Sequence, residues 1–423
     1  MTNRILAILA ALVWAAALLM TGLYLWNAGG VGSMPGARAS AVDPAAASTT
    51  AAALVSSTSS STTTTISSTT STSSSSTTST SSSTTTSTTE ALPPPLTVAA
   101  GGDVLGDRGV GDFIDENGGG AVLAQVKPFM EDAHIAFVNL ESPLSDKGRR
   151  NPYKQYTFRG RPQLAEGLLE GGVDVVSLAN NHTLDYGPAA LLDTVVRLDD
   201  VGVAHAGGGV DASAAQAPAL LITPAGIVAV LAFTEIVPGG FEATSEQPGV
   251  NPSASERKRV LAAISSASKK ADFVIVSFHW GTEYARQPGA DQRSLAHEAV
   301  DAGADLVLGH HPHVIQGLEI YEGRLIAYSL GDFVFDHYSR ETGEAFILRV
   351  TITPAGTRSA EIVPVYLHES TGVPAPVTGE EADAILTRLT TLSAKLGLEL
   401  TRSGDRASFA VKRATVPAPA ASP

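Results

Sequence analysis

The chain has 423 residues, a formal net charge of −14 and no cysteine. Its acidic balance argues against a nucleic-acid-binding face, because neutralising phosphates requires a basic surface. The lack of cysteine excludes disulfides, thiolate metal sites and cysteine nucleophiles, so a metal ion would have to be bound by His, Asp, Glu or Asn.

The first element in chain order is an uncharged apolar run at residues 5–26, which follows Arg4. At about 1.5 Å per helical residue, such a run spans a hydrocarbon layer of about 30 Å. A secretory signal has a shorter apolar core of about 7–15 residues, so we interpret the run as an uncleaved anchor, with a cleaved signal as the alternative. Residues 1–4 would then be cytoplasmic, and the rest of a single-pass cell-membrane protein would lie outside.

A second segment, residues 27–95, has the composition of a stalk. Every position from 56 to 89 is Ser or Thr except Ile66. Such a tract has almost no apolar surface to offset the entropy of ordering, so it is predicted to be disordered. It is either an O-glycosylated stalk or a plain linker.

From residue 96 onward, short apolar runs alternate with longer amphipathic segments, which is typical of strands separated by helices. We therefore predict an α/β domain at 96–370, followed by a C-terminal helix and a disordered tail at 371–423. The strand predictions are 96–100, 135–138, 173–178, 220–222, 227–233, 273–278, 306–308, 325–329, 346–352 and 360–366. The helix predictions are 122–131, 163–170, 188–201, 255–270, 291–302 and 380–395.

Metal-ligating residue types follow five of these predicted strands. Taken singly, each could be a turn residue, a helix cap or a buried histidine. In α/β sheets, however, groups beyond the carboxyl ends of neighbouring strands converge on one crevice. Carboxylate, imidazole and amide ligands without thiolate suit Mn, Fe or Zn, as in two-metal hydrolases. The residues concerned are Asp103, Glu141, Asn180, Asn181, His182, His279, His310, His311 and His313.

The same segments resemble, in order, the motifs of the CapA family of poly-γ-glutamate capsule synthesis proteins. The resemblance covers about residues 97–335 and includes the stretch Tyr328-Ser329-Leu330-Gly331-Asp332-Phe333. CapA domains resemble calcineurin-like metallophosphoesterases, which implies a four-layer α/β/β/α sandwich. The motifs are Gly101-Gly102-Asp103, Asn139-Leu140-Glu141, Leu178-Ala179-Asn180-Asn181-His182 with Asp185, His279-Trp280-Gly281, and His311-Pro312-His313-Val314.

The resemblance implies roles for individual residues. His182, with Asp185, matches the histidine that acts as general acid over the scissile group. Arg159, in the Tyr-Thr-Phe-Arg-Gly stretch, could clamp an anionic substrate, with a surface ion pair as the alternative. The ligands implied for two divalent ions of the Mn, Fe or Zn class are Asp103, Glu141, Asn181, His279, His311 and His313.

Two positions depart from the family and superfamily patterns. The superfamily's Asp-x-His start ends in Leu105 here, so one expected histidine ligand is missing. Asp332 stands where the family usually has asparagine. The first departure puts the filling of both metal sites in question, and Asp332 either adds negative charge or serves as a replacement ligand.

Two functions from different classes fit these residues. The first is a membrane-anchored, metal-dependent hydrolase of phosphoester or related bonds in capsule or envelope polymer metabolism. The second is a non-catalytic metal-binding subunit of a poly-γ-glutamate synthesis or export complex. The expected partners are the membrane, complex subunits and an anionic polymer or phosphoester, but no nucleic acid.

Overall fold

A computed structural model describes residues 94–411 of the chain. The predicted anchor at 5–26, nearly all of the predicted stalk and the end of the predicted tail lie outside the described residues. Within residues 94–411, none of the helices combines the length and apolar character needed to cross a membrane.

The larger of two main β-sheets has a parallel half. Strands β1 (Leu96–Val104), β2 (Ile135–Leu140), β3 (Val175–Ser177) and β4 (Ala204–Ala206) lie side by side in that order. All residues of β2 are buried, as expected for a parallel strand that is covered on both faces. The continuous apolar runs of the sequence therefore become the central strands.

The other half of this sheet is largely antiparallel and lies on the far side of β1. Its strands are β13 (Asp332–Val334), β14 (Glu344–Thr353), β15 (Gly356–Leu367), β16 (Pro374–Pro376), β17 (Thr401–Ser403) and β18 (Arg406–Ala410). Strand β14 pairs with β1 and β15 pairs with β14. The short β13 runs parallel to the end of β1, which places Asp332 beside Asp103.

The second sheet has parallel strands at its centre and antiparallel strands at both edges. Its strands are β6 (Ala219–Thr223), β7 (Gly226–Thr234), β9 (Phe273–His279), β10 (Leu306–His310), β11 (Leu318–Tyr321) and β12 (Arg324–Ala327). Their spatial order is β11, β12, β10, β9, β7, β6. A separate small pair joins β5 (Gly208–Gly209) to β8 (Gly249–Val250).

The helices lie between these strands along the chain. They are α1 (Arg108–Asn117), α2 (Lys127–Met130), α3 (Leu164–Glu170), α4 (Pro188–Val201), α5 (Ala212–Gln216), α6 (Arg257–Ala267), α7 (Ala290–Asp301), α8 (Arg340–Gly343) and α9 (Gly379–Ala394). A 3₁₀ turn at Gly119–Ala121 precedes α2.

Alternating side chains of each central strand enter different parts of the core, because successive residues of a strand point to opposite faces. Val98 and Ala100 of β1 pack with Val230 of β7 and Ile275 of β9 in one cluster that joins the inner faces of the two sheets. Ala99 of β1 instead joins a cluster with residues of α3 and α4. A third cluster joins the other face of the second sheet to α6 and α7.

The predicted α/β class is confirmed, and most predicted elements are present with small shifts of their ends. The helix predicted at 122–131 is wrong over most of its length, since only α2 is α-helical there. The sequence also missed α1, in which Gly109 and Gly111 weaken the helical pattern around the buried Val110 and Ile114.

The last predicted helix corresponds to α9, but it is followed by further sheet structure. Strands β16 and β18 both pair with β15, so the sheet continues beyond residue 370, where the sequence placed the end of the domain.

Candidate metal centre

The carboxyl ends of parallel strands in both sheets bring the predicted ligands together. Asp103 lies near the end of β1 and Glu141 directly follows β2, while His279 ends β9. Contacts between the two sheets close the site: the backbone N–H of His311 donates to Asp103 Oδ2 at 3.1 Å. His279 Nε2 lies 2.7 Å from Asn181 Oδ1. The crevice expected from strand-end chemistry therefore forms between two sheets.

Three overlapping groups of side chains have the spacing of a metal site. The donor atoms within each group lie within 4.8 Å of one another, and Asp103, Glu141 and His313 each belong to two groups. The three groups therefore form one continuous cluster of possible ligands. The groups are Glu141–His311–His313, Asp103–His313–Asp332 and Asp103–Glu141–His279.

Glu141 is the strongest indication that a cation belongs here. Its side chain is fully buried, and neither carboxylate oxygen has a hydrogen-bond partner. Burial, and then the neighbouring Asp103 carboxylate, raise the pKa of Glu141 well above its usual range. A buried carboxylate without donors is costly unless a cation compensates it. The residues present thus fit a divalent metal ion.

The histidines of the site differ in the direction in which their pKa values are shifted. Burial, and then the neighbouring His311, lower the pKa of His279 well below its usual value. Burial also lowers the pKa of His311 to about 4. Burial opposes protonation of His313 too, but the carboxylates of Asp332 and Glu141 outweigh it and raise its pKa well above the usual range. Burial therefore favours the neutral imidazole at His279 and His311, while the neighbouring carboxylates favour the protonated form of His313.

The backbone around the paired histidines adopts unusual conformations. His311 has φ of 96° and His313 has φ of 56°, while Tyr284 has φ of 62°. Such values are uncommon for residues other than glycine. Hydrogen bonds hold this segment, because the N–H of Tyr284 donates to the carbonyl of Pro312 at 2.8 Å. Backbone strain of this kind is typical of functional sites, where the direction of a side chain is fixed at the expense of backbone conformational energy.

His182 and Asp185 form a buried pair beside the ligand cluster. Their Nδ1 and Oδ2 atoms are 2.6 Å apart. Phe158 stacks on the His182 ring with a centroid distance of 4.1 Å. Burial lowers the pKa of His182 to about 4, although Asp185 opposes this shift. The ring is thus neutral at rest, and its catalytic role stays a prediction.

Arg159 makes its contacts away from the ligand atoms named above. Its guanidinium donates to the carbonyls of Lys147 and Gly148 and lies 3.8 Å from the centre of the Tyr186 ring. The substrate clamp proposed for Arg159 stays a prediction. The alternative was a surface ion pair, but the Arg159 guanidinium has no carboxylate partner among residues 94–411.

The two departures from the family pattern lie close to the site. Leu105 packs with Phe158 and Phe335 in a small apolar cluster. Asp332 accepts from or shares a proton with His313 Nδ1 at 2.7 Å and belongs to one of the three metal-type groups. Apolar packing therefore occupies the position of the missing histidine, while a carboxylate is added next to Asp103.

Several residues that were not in the ligand set implied by the family resemblance lie around the predicted ligands. Asn139 donates to Asp103 Oδ1 at 2.8 Å, and His310 Nδ1 lies 3.2 Å from the same oxygen. Asn180 donates to the carbonyl of Leu140 and accepts from the N–H of His182. Their position within the family motifs was the only feature of the sequence that could have pointed to a role at this site. Lys154 contacts both His182 and Asp185, and only its place in a basic stretch pointed to it.

The pH dependence of metal binding follows from these shifts. A metal ion displaces protons from its ligands, and the pKa values of both His313 and Glu141 are raised. We therefore expect metal affinity to rise with pH, and its fall in acid to begin already above about 6.5, the ordinary imidazole value, because His313 holds its proton to higher pH. Calorimetric titration with Mn²⁺ or Zn²⁺ measures it. An affinity unchanged from about pH 8 to about pH 5 contradicts the assignment of histidine ligands.

The fold and the site define an α/β protein with a histidine and carboxylate centre of metal-binding type between two sheets. Residues 97–337 match the family model described as bacterial capsule synthesis protein PGA_cap. The chain therefore belongs to this family, and the resemblance to CapA proteins is confirmed.

Two individual relatives support this assignment. The PGA biosynthesis protein CapA of Bacillus subtilis (strain 168) is 33% identical over 278 residues, which cover 65% of this chain and 72% of that protein. The capsule biosynthesis protein CapA of Bacillus anthracis is 32% identical over 288 residues, which cover 67% of this chain and 69% of that protein. Among solved structures, that of a hypothetical protein from Thermus thermophilus covers 64% of this chain and 98% of its own, with 16% identity and a TM-score of 0.41.

Proposed function

We propose that the protein is a metal-dependent hydrolase of phosphoester or related bonds that acts in capsule or cell-envelope polymer metabolism. In this proposal, residues 5–26 anchor it in the cell membrane as a single-pass protein, with the described residues extracytoplasmic. The observation that carries the proposal is the buried Glu141 carboxylate, which has no hydrogen-bond donor and lies among histidines.

The ligand residues would hold two divalent ions of the Mn, Fe or Zn class. When bound, such ions supply Lewis-acid stabilisation of the substrate oxygens and an activated water nucleophile. Donor types support this set, since imidazole, carboxylate and amide oxygen suit these metals. The residues proposed as ligands are Asp103, Glu141, Asn181, His279, His311 and His313, together with Asp332, the replacement ligand considered from the sequence.

His182 is proposed to handle the leaving-group proton. The short contact with Asp185 fixes the Nδ1–H tautomer of its neutral ring, because the carboxylate accepts that proton. No hydrogen bond within residues 94–411 uses Nε2, so this atom is free to take up a proton from the reacting group and return it to the departing oxygen. Stacking on Phe158 limits rotation of the ring.

An anionic substrate is supported by the charge of a neighbouring segment. Residues 147–161 contain six of the 28 Lys and Arg residues of an otherwise acidic chain. Within the described part of the chain, Arg149 and Arg150 form no ion pair with a carboxylate. Lys154, from the same segment, reaches His182. We therefore propose an anionic polymer or phosphoester as the substrate, approached through this basic segment.

The alternative is a non-catalytic metal-binding subunit of a poly-γ-glutamate synthesis or export complex. It is favoured by the names of the two Bacillus relatives, which describe biosynthesis and not hydrolysis. In this alternative, the metal centre binds an anionic polymer or a complex subunit and does not cleave a bond.

Metal analysis of the purified protein, combined with a screen of phosphomonoesters and phosphodiesters, separates the two functions. The hydrolase proposal expects bound metal and ester hydrolysis, and both should be lost in Glu141→Gln. Bound metal with no hydrolysis of any ester would favour the assembly subunit. A protein that binds no Mn, Fe or Zn would contradict both functions.

A further inference from the structure

Lys154 is a largely buried cation next to the candidate metal centre, and the proposed function gives it no individual role. Its side chain is only 15% exposed, although it lies on an irregular segment. Its ammonium donates to the carbonyl of Asn181 and to Asp185 Oδ1. It also lies 3.2 Å from His182 Nδ1. One lysine thus connects a predicted ligand, the predicted proton carrier and its carboxylate partner.

The Asp185 carboxylate is divided among three donors. Oδ1 accepts from Lys154, while Oδ2 accepts from the backbone N–H of Phe158 at 2.7 Å. His182 Nδ1 lies 2.6 Å from the same Oδ2. With both oxygens occupied, the carboxylate has one favourable orientation. Loss of the Lys154 contact frees Oδ1, so that Asp185 can rotate and present either oxygen to His182.

The Asp185 carboxylate, and not the ammonium, determines which nitrogen of His182 carries the proton. A carboxylate oxygen accepts, so the Nδ1 proton is directed to Asp185 Oδ2 at 2.6 Å. An ammonium group only donates, so by itself it would favour a lone pair on Nδ1. Lys154 therefore acts on His182 through the orientation of Asp185.

The contacts of Lys154 argue against direct substrate binding. Two of its three N–H donors are used by Asn181 and Asp185, and the nitrogen also lies 5.3 Å from the centre of the Phe241 ring. The ammonium is thus enclosed by protein groups. By contrast, Arg149 and Arg150 on the same segment are exposed and have no carboxylate partner among residues 94–411.

From this geometry we propose that Lys154 is a positioning residue, which orients His182 by anchoring the Asp185 carboxylate that fixes its Nδ1–H tautomer. Its effect on turnover rests on the proposed hydrolase function, whereas its effect on the His182 ring does not. Lys154 acts through Asp185 and His182 and does not contact the reacting atoms.

Lys154→Met tests the proposal, because methionine keeps much of the side-chain volume and removes every donor. In protein carrying isotope-labelled histidine, the Nδ1–H proton of His182 should exchange slowly with solvent in the parent chain, because it is hydrogen-bonded to an anchored carboxylate. It should exchange faster in Lys154→Met, where Asp185 is free to rotate, and Lys154→Arg should restore the parental rate. Should Lys154→Met not fold, Lys154→Gln is measured in its place. An unchanged exchange rate of the His182 Nδ1–H proton in a folded Lys154→Met or Lys154→Gln protein overturns the proposal.

Turnover provides the second measurement where the parent protein is active. Lys154→Met should lower kcat on a substrate with a poor leaving group by about 10–100-fold, as expected for a residue that supports a catalytic group. KM and metal content should stay near parental. In a His182→Ala background the same substitution should have no further effect on kcat. A raised KM with unchanged kcat would instead show that Lys154 binds substrate.

Lys127→Met is the matched control. Lys127 lies on α2, outside the basic segment 147–161, and pairs with Glu131 at 3.7 Å, but its side chain is 44% exposed. Its loss should alter neither the exchange rate of the His182 Nδ1–H proton nor kcat. If the parent protein hydrolyses no ester, the proposed function fails, and the proton-exchange measurement still decides the role of Lys154.

Discussion

Glu141→Gln is expected to abolish tight metal binding and at the same time to stabilise the metal-free protein. The buried carboxylate has no hydrogen-bond donor, and an orphaned buried group costs about 1–3 kcal/mol, more when it is charged. An uncharged amide removes the charge, and its oxygen can take the place of Oε1, which lies 3.5 and 4.0 Å from the Nε2 atoms of His279 and His313. The metal-free Tm should rise by a few degrees.

The stabilisation of the metal-free protein by Glu141→Gln should depend on pH in one direction. Burial raises the pKa of Glu141 above its unfolded value of 4.5. The unfolded chain therefore loses the proton first, and the contribution of Glu141 to stability falls as pH rises above that value. The stabilisation by Glu141→Gln should thus be small in acid and larger at neutral pH. Thermal unfolding of metal-free protein, followed across pH, measures it.

Asp103→Asn is the matched control for Glu141→Gln, because it also neutralises one buried carboxylate of the cluster. Asp103 accepts from Asn139 Nδ2 and from the N–H of His311. Burial alone would raise its pKa, but His310, the largest opposing influence, and the other donors hold it below the usual value. Asp103→Asn should therefore lower the metal-free Tm. Both variants should lose metal affinity by at least about 100-fold, more than the loss of a supporting residue.

Equal changes in stability for the two substitutions would contradict this account of the site. Such a result would mean that, in the metal-free protein, hydrogen bonds and charges stabilise the Glu141 carboxylate to the same extent as the Asp103 carboxylate. Retention of parental metal affinity by both variants would remove them from the ligand set.

The positions of the predicted ligands could be read from the sequence because they depend on strand ends. An apolar run followed directly by a polar residue, as at Val138 and Asn139 or at Phe278 and His279, marks where a buried strand reaches the sheet edge. The contact between the two sheets was not readable from the strand pattern. It depends on the packing of inner faces, such as Val98 against Val230, and only the family resemblance implied it.

Other features were beyond sequence reasoning because tertiary pairing creates them. Strand β13 is three residues long and exists because β1 continues beside it. Strand β17 has only exposed residues and pairs with β18 alone. Its sequence therefore lacks the alternation of apolar and polar residues that predicts a strand. Lys154 reaches Asp185 because it lies on an irregular segment that packs against Asp185. The path of that segment could not be predicted, since it follows neither the helical nor the strand periodicity of hydrophobic residues.

His182→Ala is expected to separate proton transfer from metal binding. His182 belongs to none of the three metal-type groups, while its Nδ1 is engaged with Asp185. Removal of the ring should therefore leave the metal content near parental. Elemental analysis of the purified variant, compared with Asp103→Asn, measures this difference.

The kinetic effect of His182→Ala should depend on the leaving group. A substrate with a poor leaving group needs a proton at the departing oxygen, so turnover should fall by about 10²–10⁴-fold, the range for a lost general acid. An activated aryl phosphoester needs little protonation and should lose much less. Asp185→Asn should follow the same pattern more weakly, because the ring remains but an amide can turn its N–H toward Nδ1 and favour the wrong tautomer. If His182→Ala keeps its metal and hydrolyses both substrates at the parental rate, His182 carries no proton in the reaction. If the parent protein binds metal but hydrolyses neither substrate, the buried His182–Asp185 pair serves binding, and the assembly function accounts for the site.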